Sequence, residues 1–188
     1  MPGSCFKVAL IGSHGVGKTT LCFGLAARLK ARDFPLELVN EVARRCPLPI
    51  NQETSVASES WILHTQIAEE LVAATRYGMV LCDRSALDNY VYLLLAAGRQ
   101  PGLEALVDFW MTTYDLLIHV PIVDAPRPDG VRAVDPGFQR AIEERLSTEL
   151  AARGSRSHRL LADQRDGWLD EVEALVLARL SPPQLRLL

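Results

Sequence analysis

The sequence has no long hydrophobic run, no strong charge of either sign and few cysteines, and each absence excludes a class of protein. No apolar stretch approaches the ~20 residues of a membrane-spanning helix, and residues 1–5 lack the basic and apolar regions of a signal peptide. The cysteines lack the paired spacing of a zinc site. We therefore expect a cytoplasmic protein without a membrane partner, whose cysteines are small buried hydrophobic residues: Cys5, Cys22, Cys46 and Cys82.

The net charge and the length of the chain bear on nucleic-acid binding and on the number of domains. A formal net charge of −3 gives no general attraction to nucleic acid, so only a local basic groove would bind it. With 188 residues, of which 48% are hydrophobic and 23% charged, the chain resembles an ordinary globular protein. We predict a single domain over residues 1–188.

A phosphate loop is the strongest motif in the chain. Residues 12–19 match G-x-x-x-x-G-K-[ST] between an apolar run at 6–11, predicted as a strand, and a helical pattern at 20–29. In such a loop, glycines let backbone N–H groups surround phosphate, the lysine lies against the β- and γ-phosphates, and the threonine hydroxyl ligates Mg²⁺. The alternative is a glycine-rich turn with a solvated lysine. The predicted nucleotide-binding residues are Gly12, Ser13, His14, Gly15, Val16, Gly17, Lys18, Thr19 and Thr20.

Strands and helices alternate along the rest of the chain. Further strands are predicted at 34–39, 79–82, 114–120 and 158–162, and helices at 55–77, 86–97, 103–113, 138–150 and 169–180. Within the helix at 55–77, Leu63, Ile67, Leu71 and Ala74 are predicted to form one apolar face. The alternation predicts an α/β three-layer αβα sandwich with a mainly parallel five-stranded sheet.

Charged residues follow the second and third predicted strands. Glu41 follows the second strand, and Asp83 and Arg84 follow the third, so parallel strands would bring them to the edge where the phosphate loop lies. Phosphoryl transfer requires a cation, Mg²⁺ and a carboxylate at such a place. The alternatives are a helix N-cap and surface ion pair for Asp83 and Arg84, and a turn carboxylate paired with Arg44 or Arg45 for Glu41.

Two further regions are candidate substrate contacts. The proline- and glycine-rich stretch 121–137 is long for a loop and is predicted to be a lid, in which Arg127 and Arg132, helped by Arg140 and Arg145, would close over the phosphates. For any single one of these arginines, a solvated surface residue is the favoured alternative. In the helix at 55–77, three side chains either line an acceptor pocket or belong to the core and helix surface: Trp61, His64 and Gln66.

Four segments together resemble P-loop nucleoside and nucleotide kinases: the phosphate loop and residues 41–44, 83–85 and 129–132. The resemblance is to the bacterial ATPase/kinase-like group that includes the ribosylnicotinamide kinase domain of NadR, and more distantly to thymidylate and deoxynucleoside kinases. It implies that Asp83 holds Mg²⁺ through water or accepts the acceptor's proton, that Arg84 neutralises charge on the transferred phosphoryl group, and that Glu41 is a general base. Arg132, in the lid segment, is a further candidate catalytic residue.

The resemblance predicts an ATP- and Mg²⁺-dependent kinase that moves the γ-phosphoryl group to a hydroxyl of a nucleoside, a nucleotide or a similar small molecule. One alternative is a kinase acting on a nucleic-acid hydroxyl, which would require a basic, aromatic-lined groove. Another is a nucleotide-dependent switch whose slow hydrolysis controls a partner. The sequence leaves open the acceptor, the choice between Glu41 and Asp83 as the base, and the formation of a homodimer.

Overall fold

Five parallel strands form the centre of the molecule in the computed structural model, which describes residues 5–126 and 134–180. The strand order is β2-β3-β1-β4-β5, and every pairing is parallel, which confirms the predicted α/β class and extends "mainly parallel" to the whole sheet. The strands are β1 (Phe6–Ile11), β2 (Leu36–Val39), β3 (Met79–Asp83), β4 (Leu116–His119) and β5 (His158–Arg159).

Within the described residues, six α-helices connect and cover these strands, and their bounds lie within a few residues of the predicted ones. Ser55 and Ser85 begin two of them with capping boxes, in which the serine side chain and the third helical residue bond each other's backbone N–H. The helices are α1 (Lys18–Lys30), α2 (Val56–Arg76), α3 (Ala86–Ala97), α4 (Pro101–Met111), α5 (Pro136–Ala152) and α6 (Trp168–Leu180), with short 3₁₀ helices at Val42–Arg45, Asn51–Glu53 and Ala162–Gly167.

Alternate residues of β1 face two separate hydrophobic layers. Val8 and Leu10 pack with residues of α1 and α6, whereas Ala9 and Ile11 pack with residues of α2, α3, α4 and α5. This alternation follows from the two-residue period of a strand, and it makes β1 apolar on both sides. The three-layer αβα arrangement is therefore as predicted, with the carboxyl ends of β1, β2 and β3 at one edge.

The buried face of α2 differs from the predicted one. Leu71 is 54% exposed, so its assignment to the apolar face is wrong, although Leu63 is fully buried. The centre of the face is instead occupied by Gln66 and Glu70, both almost fully buried. Polar residues can take core positions when their hydrogen-bonding groups are satisfied. The helix is consequently turned away from the orientation that hydrophobicity alone predicts.

Glu70 is the centre of the polar network that occupies this face. Its carboxylate accepts hydrogen bonds from Lys7 Nζ at 3.0 Å, Trp110 Nε1 at 2.7 Å, the Tyr114 hydroxyl at 2.8 Å and Gln66 Nε2 at 2.9 Å. The ammonium of Lys7 also lies 4.3 Å from the centre of the Trp110 ring. The network joins β1, α2 and α4 inside the core.

The described residues contain no candidate membrane-spanning helix, and their four cysteines form no disulfide. No helix within 5–126 or 134–180 has both the length and the apolar character needed to cross a bilayer. All four cysteines are free thiols; Cys22 and Cys82 are buried, whereas Cys5 and Cys46 are only half-buried.

Candidate active site

The phosphate loop follows β1 and includes the first two residues of α1, Lys18 and Thr19. Gly12, Gly15 and Gly17 have φ angles of 137°, 76° and 97°, in the region that side chains disfavour. Gly17 also precedes the N-terminus of α1, where unpaired backbone N–H groups and the helix dipole favour an anion. The glycine pattern therefore marks backbone conformations that this turn requires.

Replacing Gly12 by alanine should destabilise the protein by on the order of 2 kcal/mol, because the added Cβ would be strained and crowded. That Cβ would lie 2.4 Å from the carbonyl oxygen of Val120, at a φ of 137°. Gly78→Ala is the matched control, since a Cβ there meets no atom within 4 Å. Urea unfolding measures both variants, and equal midpoints for the two would contradict this account of the loop.

Two carboxylates hold the start of the phosphate loop. Asp88 Oδ1 accepts a hydrogen bond from the Gly12 N–H at 2.8 Å, and Glu143 Oε2 accepts one from the Ser13 N–H at 3.3 Å. The other oxygen of Asp88 accepts from the Ser85 N–H at 3.0 Å and the Ser85 hydroxyl at 2.6 Å. Asp88 and Glu143 therefore connect the loop to α3 and α5.

His14 is buried and connects the phosphate loop to Arg84. Its Nδ1 lies 3.1 Å from the Tyr92 hydroxyl, and its ring centre lies 5.7 Å from that of Phe138. Gln139 Nε2 donates to the His14 carbonyl at 2.9 Å. The Tyr92 hydroxyl in turn lies 3.5 Å from Arg84 Nη1 and Nη2. The motif treats this loop position as variable, yet here it forms specific contacts.

Lys18 is folded over the phosphate loop. Its Nζ donates to the carbonyl oxygens of Gly12 at 2.7 Å and Ser13 at 2.6 Å. Burial, followed by the nearby charge of Arg84, lowers the pKa of Lys18 to about 8. The ammonium thus lies inside the loop, where the motif predicts the β- and γ-phosphates. Thr20, the last predicted nucleotide-binding residue, is exposed on the first turn of α1.

Thr19, in the first turn of α1, contacts Asp83, the last residue of β3. The Thr19 hydroxyl donates to Asp83 Oδ2 at 2.5 Å. The other oxygen of Asp83 is buried and has no hydrogen-bond partner among residues 5–126 and 134–180, and burial raises the pKa of this carboxyl. A cation beside the pair would satisfy that oxygen and favour the ionised carboxylate.

This donor set suits Mg²⁺. Within the described ranges there is no cluster of three or more His, Cys, Asp or Glu side chains that could hold a metal. Magnesium at phosphoryl-transfer sites is commonly held by one or two protein oxygens together with substrate phosphates and water. Thr19 and Asp83 could supply those protein oxygens.

Glu41 lies between two arginines at the end of β2. Its Oε1 accepts from Arg84 Nε at 2.8 Å and Nη2 at 2.7 Å, and its Oε2 accepts from Arg44 Nε at 2.8 Å. The sequence leaves open whether Glu41 would pair with Arg44 or with Arg45, and the structure pairs it with Arg44. Arg45 bonds the two carboxylate oxygens of Glu69, at 2.7 and 2.8 Å. The bond to Arg44 does not draw Glu41 away from the site, because the same carboxylate also bonds Arg84.

The alternative prediction for Asp83 and Arg84, a helix cap and a surface ion pair, is wrong. Ser85 caps α3, and the Arg84 side chain is buried. Arg84 also has a φ of 103°, which is uncommon for a residue with a side chain, and its N–H donates to the Leu10 carbonyl at 3.2 Å. Strained backbone of this kind is concentrated at functional sites.

Two cavities adjoin these groups. A cleft of about 1060 Å³ opens between α1, β2 and α2 and reaches Thr19, Asp83 and Glu41. A second cavity, of about 30 Å³, lies on the other side of Glu41 and is also lined by Arg84. We call the first the wide cleft and the second the inner cavity.

The predicted acceptor-pocket residues have different positions. His64 is exposed and lines the wide cleft, and Trp61 is half-buried. Gln66 follows the core alternative: its Nε2 donates to Glu70 at 2.9 Å and to the Arg84 carbonyl at 3.0 Å, and its Oε1 accepts from Asn89. Its amide is therefore occupied by protein groups.

The predicted lid can be followed only in part. Arg127 and Arg132 lie outside the described residues, so the role of this segment stays a prediction. On α5, Arg140 is exposed, and Arg145 Nε lies 2.9 Å from Glu149 Oε1. Glu149 also bonds Arg99, at 3.0 Å, beyond the end of α3. Arg145 therefore belongs to a different cluster of charges from the phosphate loop.

Sequence reasoning missed several groups at this edge. Asp88 could have been found, because Ser85 and Asp88 form the S-x-x-D pattern of a capping box. Glu59 and Tyr92, which line the inner cavity, occur in helical segments without any such pattern. Their positions depend on how α2 and α3 pack.

The comparisons with known proteins agree with this geometry. The sequence matches the profile of an AAA domain family over residues 7–166. The chain belongs to this AAA domain family. No curated protein matches the sequence.

Solved structures show the fold of this AAA domain. Deoxyadenosine kinase from M. mycoides with bound dATP matches with a TM-score of 0.60 and 14% identity, over 93% of this chain and 98% of that chain. NadR in complex with NR matches with a TM-score of 0.59 and 23% identity, over 83% of this chain and 45% of that chain. The AAA domain thus spans less than half of NadR. Its fold is the nucleoside kinase-like P-loop fold.

Proposed function

We propose that this AAA domain is an ATP- and Mg²⁺-dependent kinase that moves the γ-phosphoryl group to a hydroxyl of a nucleoside-like small molecule. The observation that carries the proposal is the pair of contacts at the ends of adjacent strands: Thr19 with Asp83, and Glu41 with Arg84. Both contacts border the phosphate loop, and Asp83 and Glu41 both line the wide cleft. A phosphate site, a metal-ligand pair and an acceptor-side carboxylate are what phosphoryl transfer requires.

The nucleotide side of the reaction uses the phosphate loop. Backbone N–H groups at the start of α1 would bind the phosphates, and Lys18 would turn from the carbonyls of Gly12 and Ser13 to the β- and γ-phosphates. Thr19 and Asp83 would hold Mg²⁺, which when bound neutralises charge on the phosphates and orients them. These are the groups that stabilise negative charge during the transfer.

The acceptor side uses Glu41 and Arg84. The acceptor hydroxyl oxygen forms a bond to the γ-phosphorus, the bond from that phosphorus to the β,γ-bridging oxygen breaks, and ADP leaves. The hydroxyl proton passes to a carboxylate, and we assign this role to Glu41 because Asp83, together with Thr19, is assigned to Mg²⁺. A weak base is sufficient, since the transition state is loose and the proton leaves late. Arg84, held by Glu41, would neutralise charge on the transferred group.

The size and charge of the wide cleft favour a small molecule as acceptor. Its volume of about 1060 Å³ is comparable with small-molecule sites. Arg44, Arg45 and Arg76 line it, which keeps nucleic acid as a second candidate, but Arg44 and Arg45 already bond Glu41 and Glu69. A nucleic-acid groove needs cations that can contact phosphates.

The test offers γ-labelled ATP and Mg²⁺ with four acceptor classes: nucleosides, nucleoside monophosphates, nicotinamide riboside and 5′-hydroxyl oligonucleotides. We expect label on a nucleoside-type acceptor. Glu41→Gln should lower that transfer about 10²-fold, because the base is lost. Glu144→Gln, an exposed site on α5, is the control.

Each other outcome selects a different function. Label on oligonucleotides alone would support the nucleic-acid kinase. Label appearing only as inorganic phosphate, slowly and with every acceptor, would support the nucleotide-dependent switch. Equal transfer by the Glu41→Gln and Glu144→Gln variants would remove Glu41 from the mechanism.

A further inference from the structure

Glu59 is a buried carboxyl group with an unsatisfied oxygen. It lies in the first turn of α2, is 1% exposed, and its Oε1 has no hydrogen-bond partner in the described part of the chain. Buried polar groups are nearly always hydrogen-bonded, and an unsatisfied one costs stability. The mechanism above gives this carboxyl group no role.

The unsatisfied carboxyl borders the inner cavity. Arg84, Tyr92 and Asn89 line this cavity on one side, and Asn51 and Thr54 line it next to the start of α2. Its volume of about 30 Å³ accommodates a water molecule or one small polar group of a larger ligand. Because Glu41 lines both cavities, the inner cavity adjoins the proposed site of transfer.

The protonation state of Glu59 decides what it can recognise. Burial raises its pKa to about 8, and the charge of Arg84 opposes this only partly. The other titratable or charged groups that line the inner cavity are Glu41, Arg44 and Tyr92. At neutral pH the side chain is therefore a carboxylic acid, which has an O–H to donate.

We propose that Glu59 is the specificity residue of the acceptor site, where its carboxyl group donates a hydrogen bond to a carbonyl oxygen or ring nitrogen of an uncharged nucleoside. This inference rests on the proposed function and names its substrate class. The acceptor's polar edge enters the inner cavity, and its hydroxyl group lies beside Glu41.

The groups around the inner cavity suit an uncharged polar edge. Arg44 and Arg84 line the cavity, but both bond the carboxylate of Glu41, which compensates part of their charge. The protonated carboxyl group of Glu59 adds a neutral donor and no charge. A cationic acceptor such as nicotinamide riboside would bind better once Glu59 is ionised, so its affinity would rise with pH.

The test measures binding of adenosine, guanosine, cytidine, uridine and thymidine by calorimetry between pH 6 and 10, without ATP. For the nucleoside that binds wild-type protein, affinity should fall above pH 8 and approach a tenfold loss per pH unit. Glu59→Gln keeps a donor that cannot ionise, so the loss of affinity that begins near pH 8 should be absent from this variant. Glu59→Ala should bind about tenfold more weakly at pH 7. Glu144→Gln is again the control.

A second readout does not need a ligand. The folded-state pKa of Glu59 is raised from 4.5 to about 8, so between these values the folded protein binds more protons than the unfolded chain. The free energy of unfolding of the wild-type protein should therefore fall as pH rises from 4.5 to 8, because of Glu59. Glu59→Gln should abolish this pH dependence, and the variant should melt at a higher temperature than wild type at pH 8. That result would also show that Glu59→Gln folds.

The outcomes separate this inference from the proposed function. Nucleoside binding whose pH dependence disappears in Glu59→Gln supports the inference even if no phosphoryl transfer is detected, which would overturn the kinase instead. Transfer to a nucleoside with the same pH dependence in both proteins would overturn the inference and leave the kinase. Binding of none of the nucleosides, or affinity for nicotinamide riboside that rises with pH, would also overturn it.

Discussion

Replacement of Lys18 by alanine or of Asp83 by asparagine should lower phosphoryl transfer from ATP by on the order of 10³-fold. Lys18 supplies the ammonium inside the phosphate loop, and Asp83 supplies the charged oxygen beside Thr19. The two losses should differ in kind. Asp83→Asn should require a higher Mg²⁺ concentration for its residual activity, because one ligand charge is missing, whereas Lys18→Ala should show the wild-type Mg²⁺ requirement.

Steady-state rates measured against Mg²⁺ concentration make this comparison. Lys30→Ala is the control for Lys18→Ala, because Lys30 is exposed at the other end of the same helix. Asp163→Asn, at an exposed position, is the control for Asp83→Asn. A Lys18→Ala variant as active as Lys30→Ala would mean that the loop does not act on phosphate during catalysis.

Replacement of Glu70 by alanine should lower the free energy of unfolding by about 3–5 kcal/mol. The buried carboxylate is the common partner of Lys7, Trp110, Tyr114 and Gln66, and its removal leaves the Lys7 charge uncompensated in the core. For a domain of this size each kcal/mol corresponds to roughly 2–4 °C in Tm. The melting temperature should therefore fall by roughly 6–20 °C.

The neighbouring residue provides a matched control. Glu69 bonds Arg45 at the surface, where the two side chains are 35% and 52% exposed. Exposed pairs contribute about 0–1 kcal/mol, so Glu69→Ala should hardly change the melting temperature. Equal melting temperatures for Glu70→Ala and Glu69→Ala would show that the network around Glu70 does not stabilise the fold.

The parts of the fold and site that could be predicted from sequence are those encoded locally. The glycines at 12, 15 and 17 specify a phosphate loop because their backbone angles require glycine. Glu41 and Asp83 could be assigned to one edge because Glu41 lies just beyond β2 and Asp83 at the end of β3, and parallel strands end on the same side of a sheet. Neither inference needs knowledge of side-chain packing.

The parts that could not be predicted depend on contacts between distant segments. Leu71 has the correct spacing for the buried face of α2, but Gln66 and Glu70 take that face. Lys7, Trp110 and Tyr114 satisfy Glu70, and they lie 40 to 63 residues from it. Gln66 is satisfied by Glu70, Arg84 and Asn89. The hydrophobic periodicity of one helix carries no information about hydrogen bonds to such distant residues.

Glu59 illustrates the same difficulty for the site. A glutamate in the first turn of a helix ordinarily faces solvent, where it interacts favourably with the helix dipole. Here α2 packs so that this glutamate points into the inner cavity beside Arg84. Its sequence context predicts an ordinary exposed glutamate at the start of a helix. Only the packing of α2 shows that Glu59 is buried.

The hydrogen bonds that hold the phosphate loop determine when the nucleotide site is completed during protein synthesis. Gly12 is held by a residue 76 positions later in the chain, Ser13 by one 130 positions later, and His14 by one 125 positions later. Contacts so far apart in sequence form late, because loop closure must precede them. A nascent chain from which only the glycine-rich motif has left the ribosome therefore lacks the residues that hold the loop in its final conformation. The first of the chain's motifs to leave the ribosome becomes a finished phosphate site only after α5 has emerged and packed.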